Sequence, residues 1–260
     1  MKDSCVIVIP ARMGSTRFPE KPLALIDGKW MIERVWNIAR ASSLADEVVI
    51  ATDNVRLQKA VSSFGARVLM TSSACATGTD RVIETLDIFP EKTIFFNLQG
   101  DAVLTPPWVI DDVLRHIMED PSVQIATPAV ELKGEALFSF LQMKQKGSST
   151  GTSVVFDRAK NALYFSKTVL PHYREKSSEP SIYRHIGLYA YRREILKVWK
   201  NLPQGPLEKA EHLEQMRALE NQIPIRVVEV NLKGRTHGSV DLPEDVPMIE
   251  AIIAREGALI

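Results

Sequence analysis

Short apolar runs alternate, over the first half of the chain, with stretches in which apolar residues recur every three or four positions. The runs are as long as buried strands and rich in β-branched residues, which predicts strands at 6–10, 48–51, 67–70, 93–97 and 123–126. The stretches between them have helical spacing, as at Met31, Val35 and Ala39, and predict helices at about 31–39, 57–64, 79–88 and 106–117. Strands joined by helices build βαβ units, so we expect an α/β fold with a mainly parallel sheet and helices on both faces.

The pattern changes after about residue 130, where strand-like segments follow one another with little predicted helix between them. These segments lie at 153–156, 163–166 and 182–191, and they predict a smaller antiparallel insertion. A helix is expected from Pro206 to about Asn221, followed by a strand at 225–230 and a last helix that starts at Pro243. We therefore predict a single domain, 1–260, in three parts: about 1–130, about 131–222, and a return to the main sheet at about 223–260.

Composition and charge narrow the class of protein. The 260 residues are 45% hydrophobic and 25% charged, which is ordinary for a globular chain and excludes a disordered or coiled-coil protein. The 32 Lys and Arg residues balance the 32 Asp and Glu residues, so no overall field would draw the protein to nucleic acid or to an anionic membrane. Cys5 and Cys75 form no CxxC pair, and no apolar run approaches a membrane span. We expect a cytoplasmic protein without a disulfide framework, a zinc site, a nucleic-acid partner or a membrane partner.

The turn after the first predicted strand concentrates positive charge. Arg12, Arg17 and Lys21 surround Gly14 and Ser15, whose small side chains let backbone N–H groups approach an anion. Ligands of open parallel sheets bind outside the carboxyl ends of the strands. The turn is therefore predicted to bind phosphate, although it is not a Walker loop; the alternative is a solvated basic loop.

Three further segments carry candidate chemistry. The turn at 70–81 offers hydroxyls, a glycine and an arginine at a helix start, although Thr79 alone would also serve as a helix cap. Asp101 follows the fourth strand directly, and Asp241 lies between a strand-like element and the last helix. Mg²⁺ takes one or two carboxylates together with phosphate oxygens, so the two acids predict a Mg²⁺–triphosphate site. The alternative for Asp241 is a helix N-cap.

These segments resemble those of a known family. The run at 9–23, IPARMGSTRFPEKPL, is similar to the motif of the 3-deoxy-manno-octulosonate (Kdo) cytidylyltransferases, also called CMP-Kdo synthetases. The resemblance continues in the same order nearly to the end of the chain, through ATD at 51–53, MTS at 70–72, GTDR at 78–81, QGD at 99–101, ALYFS at 162–166, RHIGLYAY at 184–191, LEQMRAL at 213–219 and VDLPED at 240–245.

The resemblance implies a nucleotidyltransferase with a GT-A-like, Rossmann-type fold. Its reaction would join CTP to the sugar acid Kdo, giving CMP-Kdo and pyrophosphate with Mg²⁺ as cofactor, for lipopolysaccharide biosynthesis. It would make 1–130 the nucleotide-binding part and 131–222 the part for sugar binding and dimerisation, and it implies a homodimer.

The resemblance also assigns site residues. Those implied to be catalytic are Arg12, Lys21, Asp101 and Asp241, the last two as metal ligands. Those implied to bind CTP are Ala11, Arg12, Ser15, Arg17, Lys21, Thr71, Gly78, Thr79, Arg81 and Gln99. Those implied to face the sugar acid are Gln99, Arg174, His185, Tyr189, Glu214 and Gln215, of which Arg174 and His185 would suit its carboxylate. From the residues alone, Tyr189 could equally lie in the core and Glu214 on a solvated helix face. We interpret His237 as structural and Cys75 as a bystander.

Four positions depart from the family pattern. Glu20 stands where the family has Gly and places an acid among three cations, and Ala102 stands where it has an active-site acid. Ser153 replaces a lysine, and Lys167 replaces an arginine. Arg and Lys are not equivalent at a bidentate carboxylate site, so these changes bear on the identity of the sugar acid.

Two alternatives to Kdo therefore stand. One is the same transfer to another sugar acid, an amino-Kdo or a sialic-type nonulosonate, although the first loop lacks the GGSKG pattern of the sialic family. The other is a nucleotide-binding homologue without turnover.

Overall fold

A computed structural model describes residues 3–173 and 181–260 of the chain. The strands are β1 Cys5–Pro10, β2 Leu25–Ile26, β3 Lys29–Trp30, β4 Glu47–Thr52, β5 Arg67–Met70, β6 Ile94–Asn97, β7 Ile125–Leu132, β8 Thr152–Phe156, β9 Ala162–Ser166, β10 Ile182–His185, β11 Tyr189–Arg192 and β12 Arg226–Glu229. The helices are α1 Met31–Arg40, α2 Val55–Ser62, α3 Gly78–Glu84, α4 Pro107–Glu119, α5 Gly134–Gln145, α6 Arg193–Trp199, α7 Pro206–Glu211, α8 Met216–Glu220 and α9 Asp245–Glu256. A short 3-10 helix spans Lys21–Leu23.

One mixed sheet joins most of these strands. Among the described residues its order is β5-β4-β1-β6-β11-β7-β10-β8-β9, and β12 also pairs with β7. The pairings of β1 with β4 and β6, of β4 with β5 and of β12 with β7 are parallel. The pairings of β8, β9, β10 and β11 are antiparallel. The predicted α/β fold, with a parallel sheet and an antiparallel insertion, is confirmed, and the insertion extends the same sheet.

Alternation along β1 explains why helices cover both faces. All six residues of β1 are buried, and neighbouring side chains point to opposite faces. Ile7 and Ile9 join a hydrophobic cluster that includes residues of α1, α2, α4 and α9. Val6 and Val8 join a second cluster with residues of α3, α6 and α8. A strand buried on both faces reads as a continuous apolar run, which is the pattern that the sequence shows.

Three predictions of local structure were wrong. The helix α5 was not predicted, and among its residues only Phe140 is buried, so its sequence shows no apolar stripe. The single helix expected at 206–221 is broken at His212, which takes a left-handed conformation with φ 52°. The strand expected at 182–191 is two strands, because the chain passes from β10 to β11 through Ile186–Leu188, outside the sheet pairing.

No helix of the described residues is both long and apolar enough to cross a membrane.

Candidate active site

A cleft of about 230 Å³ lies at the carboxyl ends of β1 and β6, where the parallel-sheet rule places ligands. It is lined by Pro10, Ala11, Arg12, Ser15, Arg17, Lys21, Pro22, Cys75, Ala76, Thr77, Gly78, Arg81, Gln99, Gly100, Asp101 and Asp241. Two glycines allow the walls to approach each other. A Cβ on Gly100 would lie 3.0 Å from the Pro10 carbonyl oxygen, and one on Gly78 would lie 3.2 Å from Pro10 Cγ. A larger residue at position 100 would therefore push apart the ends of β1 and β6, which carry the site.

The basic loop after β1 is folded back on itself. Glu20 has a left-handed backbone with φ 55°, and its N–H donates to the carbonyl oxygen of Met13 at 3.3 Å. This conformation favours glycine, which gives a physical reason for the glycine of the family pattern. The Glu20 carboxylate forms an ion pair with Arg56 of α2. The expectation that Glu20 places an acid among the three loop cations is therefore wrong.

The two predicted acids converge on Lys21. The Lys21 ammonium lies 2.5 Å from Asp101 Oδ2 and 4.0 Å from Asp241 Oδ1, and Arg17 Nη2 lies 3.2 Å from the same Asp241 oxygen. The N–H of Val240 donates to the Asp101 carbonyl oxygen at 3.3 Å, which ties the two segments together. The arrangement alternates positive and negative groups at the mouth of the cleft.

The N-cap alternative for Asp241 is not supported. The helix α9 begins at Asp245, and the Asp245 carboxylate accepts from the N–H groups of Asp241 and Leu242 at 2.7 and 2.8 Å. Asp245 therefore satisfies the backbone donors of this turn. The side chain of Asp241 is left to face Arg17 and Lys21.

The donor set fits Mg²⁺ held jointly with phosphate. Asp101 and Asp241 already surround one positive group, the Lys21 ammonium. No cluster of three or more His, Cys, Asp or Glu side chains that could hold a metal occurs in the described part of the chain. Mg²⁺ is bound through one or two carboxylates plus phosphate oxygens rather than by an all-protein cage, so two acids beside a basic loop suit it.

The nucleotide side is built around the start of α3. Thr77, not Thr79, caps this helix: its hydroxyl accepts from the Asp80 N–H at 3.1 Å, and Asp80 accepts from the Thr77 N–H at 2.9 Å. Arg81 is buried, forms an ion pair with Asp53 at 3.0 Å and donates to the Thr71 hydroxyl at 2.6 Å. Thr71 is absent from the cleft lining, and its contact with the site is this hydrogen bond to Arg81, which does line the cleft.

Thr79 and Glu214 form a link between α3 and the chain before α8. Thr79 is only 2% exposed, and its hydroxyl donates to Glu214 Oε2 at 3.0 Å. The Thr77 hydroxyl donates to Glu214 Oε1, also at 3.0 Å. Loss of hydration raises the pKa of the Glu214 carboxyl. The solvated-face interpretation of Glu214 is therefore wrong.

Of the predicted sugar-side residues, Gln99 lines the cleft, whereas His185, Tyr189, Glu214 and Gln215 are absent from its lining. His185 Nε2 hydrogen-bonds the Thr127 hydroxyl at 2.8 Å, and burial, with the charge of Lys167, lowers the pKa of His185 to about 3. At neutral pH the ring is therefore a neutral hydrogen-bonding group. Tyr189 is buried in a hydrophobic cluster and stacks on Tyr191 at 5.7 Å. Arg174 lies outside the described residues.

Two buried polar nitrogens near this region have no hydrogen-bond partner among the described residues. They are Gln215 Nε2 and His237 Nδ1. Burial and the charge of Arg184 lower the pKa of His237 to about 3, so His237 is also neutral. Unpaired buried polar groups are costly, and they are the groups that a ligand or an ordered water is expected to satisfy. His237 belongs to no motif, and its only sequence signal is its position shortly before Asp241.

Two departures from the family pattern serve packing here. Ala102 is buried within the first hydrophobic cluster and does not line the cleft. Ser153 is fully buried, and its hydroxyl donates to the Thr168 carbonyl oxygen at 2.5 Å and accepts from the Leu170 N–H at 3.1 Å. Cys75, which the sequence analysis interprets as a bystander, and Thr77, which it does not single out, both line the cleft.

Comparison with known proteins gives the family of this chain. A family model described as cytidylyltransferase matches residues 6–228. The 3-deoxy-manno-octulosonate cytidylyltransferase of Maricaulis maris is 49% identical over 258 residues, which are 99% of this chain and 100% of that protein. The 8-amino-3,8-dideoxy-manno-octulosonate cytidylyltransferase of Shewanella pealeana is 41% identical, covering 94% of this chain and 96% of that protein.

Among solved structures, CMP:2-keto-3-deoxy-manno-octonic acid synthetase complexed with CTP matches with a TM-score of 0.87 and 34% identity. The match covers 98% of this chain and 100% of that one. The fold and the site thus define an α/β nucleotidyltransferase. The chain belongs to the cytidylyltransferase family.

Proposed function

We propose that this protein transfers the cytidylyl group of CTP to 3-deoxy-manno-octulosonate and releases pyrophosphate. The observation that carries the proposal is the cleft in which Asp101 and Asp241 converge on Lys21 beside Arg17. Relatives that align over the whole chain are named for this transfer, and the matching structure is complexed with CTP.

The loop cations are proposed to hold the triphosphate. Arg12, Arg17 and Lys21 line the cleft from one segment, and cations neutralise the charge that grows on the leaving pyrophosphate. Asp101 and Asp241 would hold Mg²⁺, which when bound supplies further charge neutralisation and orients the phosphate oxygens. Phosphoryl-type transfer depends mostly on such positioning and electrostatics.

The nucleophile is proposed to be the anomeric hydroxyl of the sugar acid. Its oxygen forms a bond to the α-phosphorus as the bond from that phosphorus to the bridging oxygen of pyrophosphate breaks, and the hydroxyl proton passes to solvent. Burial raises the pKa of both cysteine thiols, that of Cys75 to about 11, so neither is an activated nucleophile. A single displacement inverts the configuration at phosphorus.

The sugar acid is proposed to lie beside His185, Gln215 and His237. The unpaired Gln215 Nε2 and His237 Nδ1 offer polar partners, and neutral His185 offers a hydrogen bond rather than a charge. The alternative sugar acid with a specific observation behind it is the 8-amino compound, because a relative at 41% identity is named for it.

The decisive experiment measures pyrophosphate release from CTP and Mg²⁺ across a panel of sugar acids: Kdo, its 8-amino analogue and N-acetylneuraminate. We expect the highest kcat/KM with Kdo. A preference for the 8-amino acid would replace the substrate and keep the chemistry, whereas CTP binding without turnover of any acid would favour the non-catalytic homologue. A chirally labelled α-thio-CTP tests the displacement, since net retention or a trapped cytidylyl-enzyme would refute direct attack.

We further infer, from the family resemblance, that the protein works as a homodimer in the cytoplasm. Light scattering on the purified protein tests the dimer, because a mass near the monomer's 29.1 kDa at working concentration would refute it. Fractionation of cells that express the tagged protein tests the location.

A further inference from the structure

The peptide groups of Lys167 are held from both sides by side chains of opposite charge. Glu211, at the end of α7, accepts from the Lys167 N–H and from the Ser166 hydroxyl, both at 2.8 Å. Lys144, on α5, donates to the Lys167 carbonyl oxygen at 2.5 Å and to the Gly151 carbonyl oxygen at 2.6 Å. Two helices that do not neighbour each other in sequence thus fix one residue that follows the edge strand β9.

Holding Lys144 in this place is costly. Burial, together with the positive charges of Lys167 and Arg184, lowers the pKa of the Lys144 ammonium to about 8, and Glu211 opposes that shift. Charged groups removed from water need compensating hydrogen bonds. Three backbone carbonyls, those of Ser148, Gly151 and Lys167, supply them.

The bonding of Lys144 and Glu211 argues against a direct role in binding substrate. The three carbonyls match the three donors of the Lys144 ammonium, and both Glu211 oxygens accept hydrogen bonds. The Lys167 ammonium differs, because it makes no hydrogen bond or ion pair with the described residues. The ring of Phe165, two residues before Lys167, lies 4.9 Å from the ring of His185, so this segment runs beside the sugar-side histidine. The positive charge of Lys167 contributes to the lowered pKa of His185, and the charges of Asp241 and Arg17 act on the Lys167 ammonium.

We propose that Lys144 and Glu211 are positioning residues that clamp the Lys167 backbone and so direct the Lys167 ammonium to the carboxylate of the sugar acid. A lysine head group on a flexible four-carbon stem lacks the preorganised fork of arginine, so fixing the backbone removes part of the freedom that binding would otherwise remove. The proposal rests on the proposed function, since that function supplies the carboxylate.

The first test is a double-mutant cycle on steady-state kinetics. Lys144→Met keeps the length of the aliphatic stem and removes the ammonium; we expect the KM for the sugar acid to rise about tenfold, with the KM for CTP changed less than twofold. In a Lys167→Ala background the same substitution should change the sugar KM by less than twofold. An equal rise in both backgrounds, or a parallel rise in the KM for CTP, would overturn the proposal.

Matched variants separate positioning from general damage. Lys197→Met removes an exposed ammonium that is paired with Glu194, and it should match the wild type. Glu211→Ala should raise the sugar KM as Lys144→Met does, whereas Glu211→Gln keeps one carbonyl acceptor and should recover part of the loss. A Glu211→Gln variant as impaired as Glu211→Ala would contradict the hydrogen-bonding role.

The second test does not depend on turnover. Amide hydrogen exchange at residue 167, followed by NMR, should be at least about tenfold faster in Lys144→Met and Glu211→Ala than in the wild type and in Lys197→Met. Unchanged exchange would refute the clamp even if the enzyme uses Kdo. Faster exchange in a protein that turns over no sugar acid would keep the clamp and refute the proposed function and the role of Lys167 in it.

Discussion

Replacing Asp101 by asparagine should change the affinity for CTP in opposite directions with and without Mg²⁺. The Lys21 ammonium lies 2.5 Å from Asp101 Oδ2, and the two side chains are 15% and 27% exposed. A hydrogen bond between charged groups in such a partly shielded place contributes about 1.5–3 kcal/mol. Triphosphate must compete with Asp101 for Lys21, and the carboxylate also repels phosphate.

The magnitude follows from that contact. In EDTA, Asp101→Asn frees Lys21 and removes the repulsion, so CTP should bind roughly 10- to 100-fold more tightly, at about 1.4 kcal/mol per factor of ten. With Mg²⁺ the variant should instead bind CTP more weakly than the wild type, because one of the two proposed metal carboxylates is lost. The same loss should slow turnover. Two unit charges about 4 Å apart interact by about 4 kcal/mol near a protein surface, so kcat should fall by roughly 1,000-fold.

Titration calorimetry with CTP in EDTA and in Mg²⁺, together with pyrophosphate release, measures both effects. Asp112→Asn is the matched control, because Asp112 forms an exposed ion pair with Arg115 on α4, away from the cleft. CTP binding in EDTA that is no tighter than in the wild type would refute the competition for Lys21. A kcat above about a tenth of the wild-type value at saturating Mg²⁺ would refute the metal assignment.

Three further predictions concern Asp241, a buried ion pair and His185. Asp241→Asn should abolish turnover without lowering the melting temperature, because this side chain caps no helix. A variant with a lower melting temperature and full activity would contradict this. Glu208→Gln should lower the free energy of unfolding in urea by about 3 kcal/mol. It leaves the buried Arg217, which donates to the Glu208 carboxylate at 2.6 and 2.8 Å, without that carboxylate. The surface variant Glu194→Gln should lower the free energy of unfolding by under about 1 kcal/mol, and equal losses in the two variants would refute the argument. The stability should fall by about 2 kcal/mol between pH 7 and pH 5 on account of His185, because the unfolded ring takes up a proton below about pH 6.5 while the folded ring stays neutral down to about pH 3. Urea unfolding of His185→Asn at both pH values checks this: an unchanged pH dependence would assign the loss to other groups.

The sequence was sufficient for the elements whose signal is local. The apolar runs of β1 and β6 are buried along their whole length, so each is visible without knowledge of its neighbours. The basic loop and Asp101 were also visible, because a parallel sheet places its ligands at strand ends whatever the remaining topology. The helix α5 was not predicted, because a helix with one buried residue shows almost no periodic pattern of apolar residues.

The partners of individual side chains were decided only by the tertiary structure. Glu214 looked like a solvated residue because the hydroxyl that it accepts from, that of Thr77, is 137 residues away. Glu20 looked like an acid among cations, whereas in the structure its carboxylate pairs with Arg56, which is 36 positions away on α2. The clamp joins Lys167 to Lys144 and Glu211, which lie on two different helices at 23 and 44 positions from it in the sequence. A sequence thus determines which charges are available and on which kind of element they lie. Which charge meets which depends on contacts between segments that are distant in the sequence.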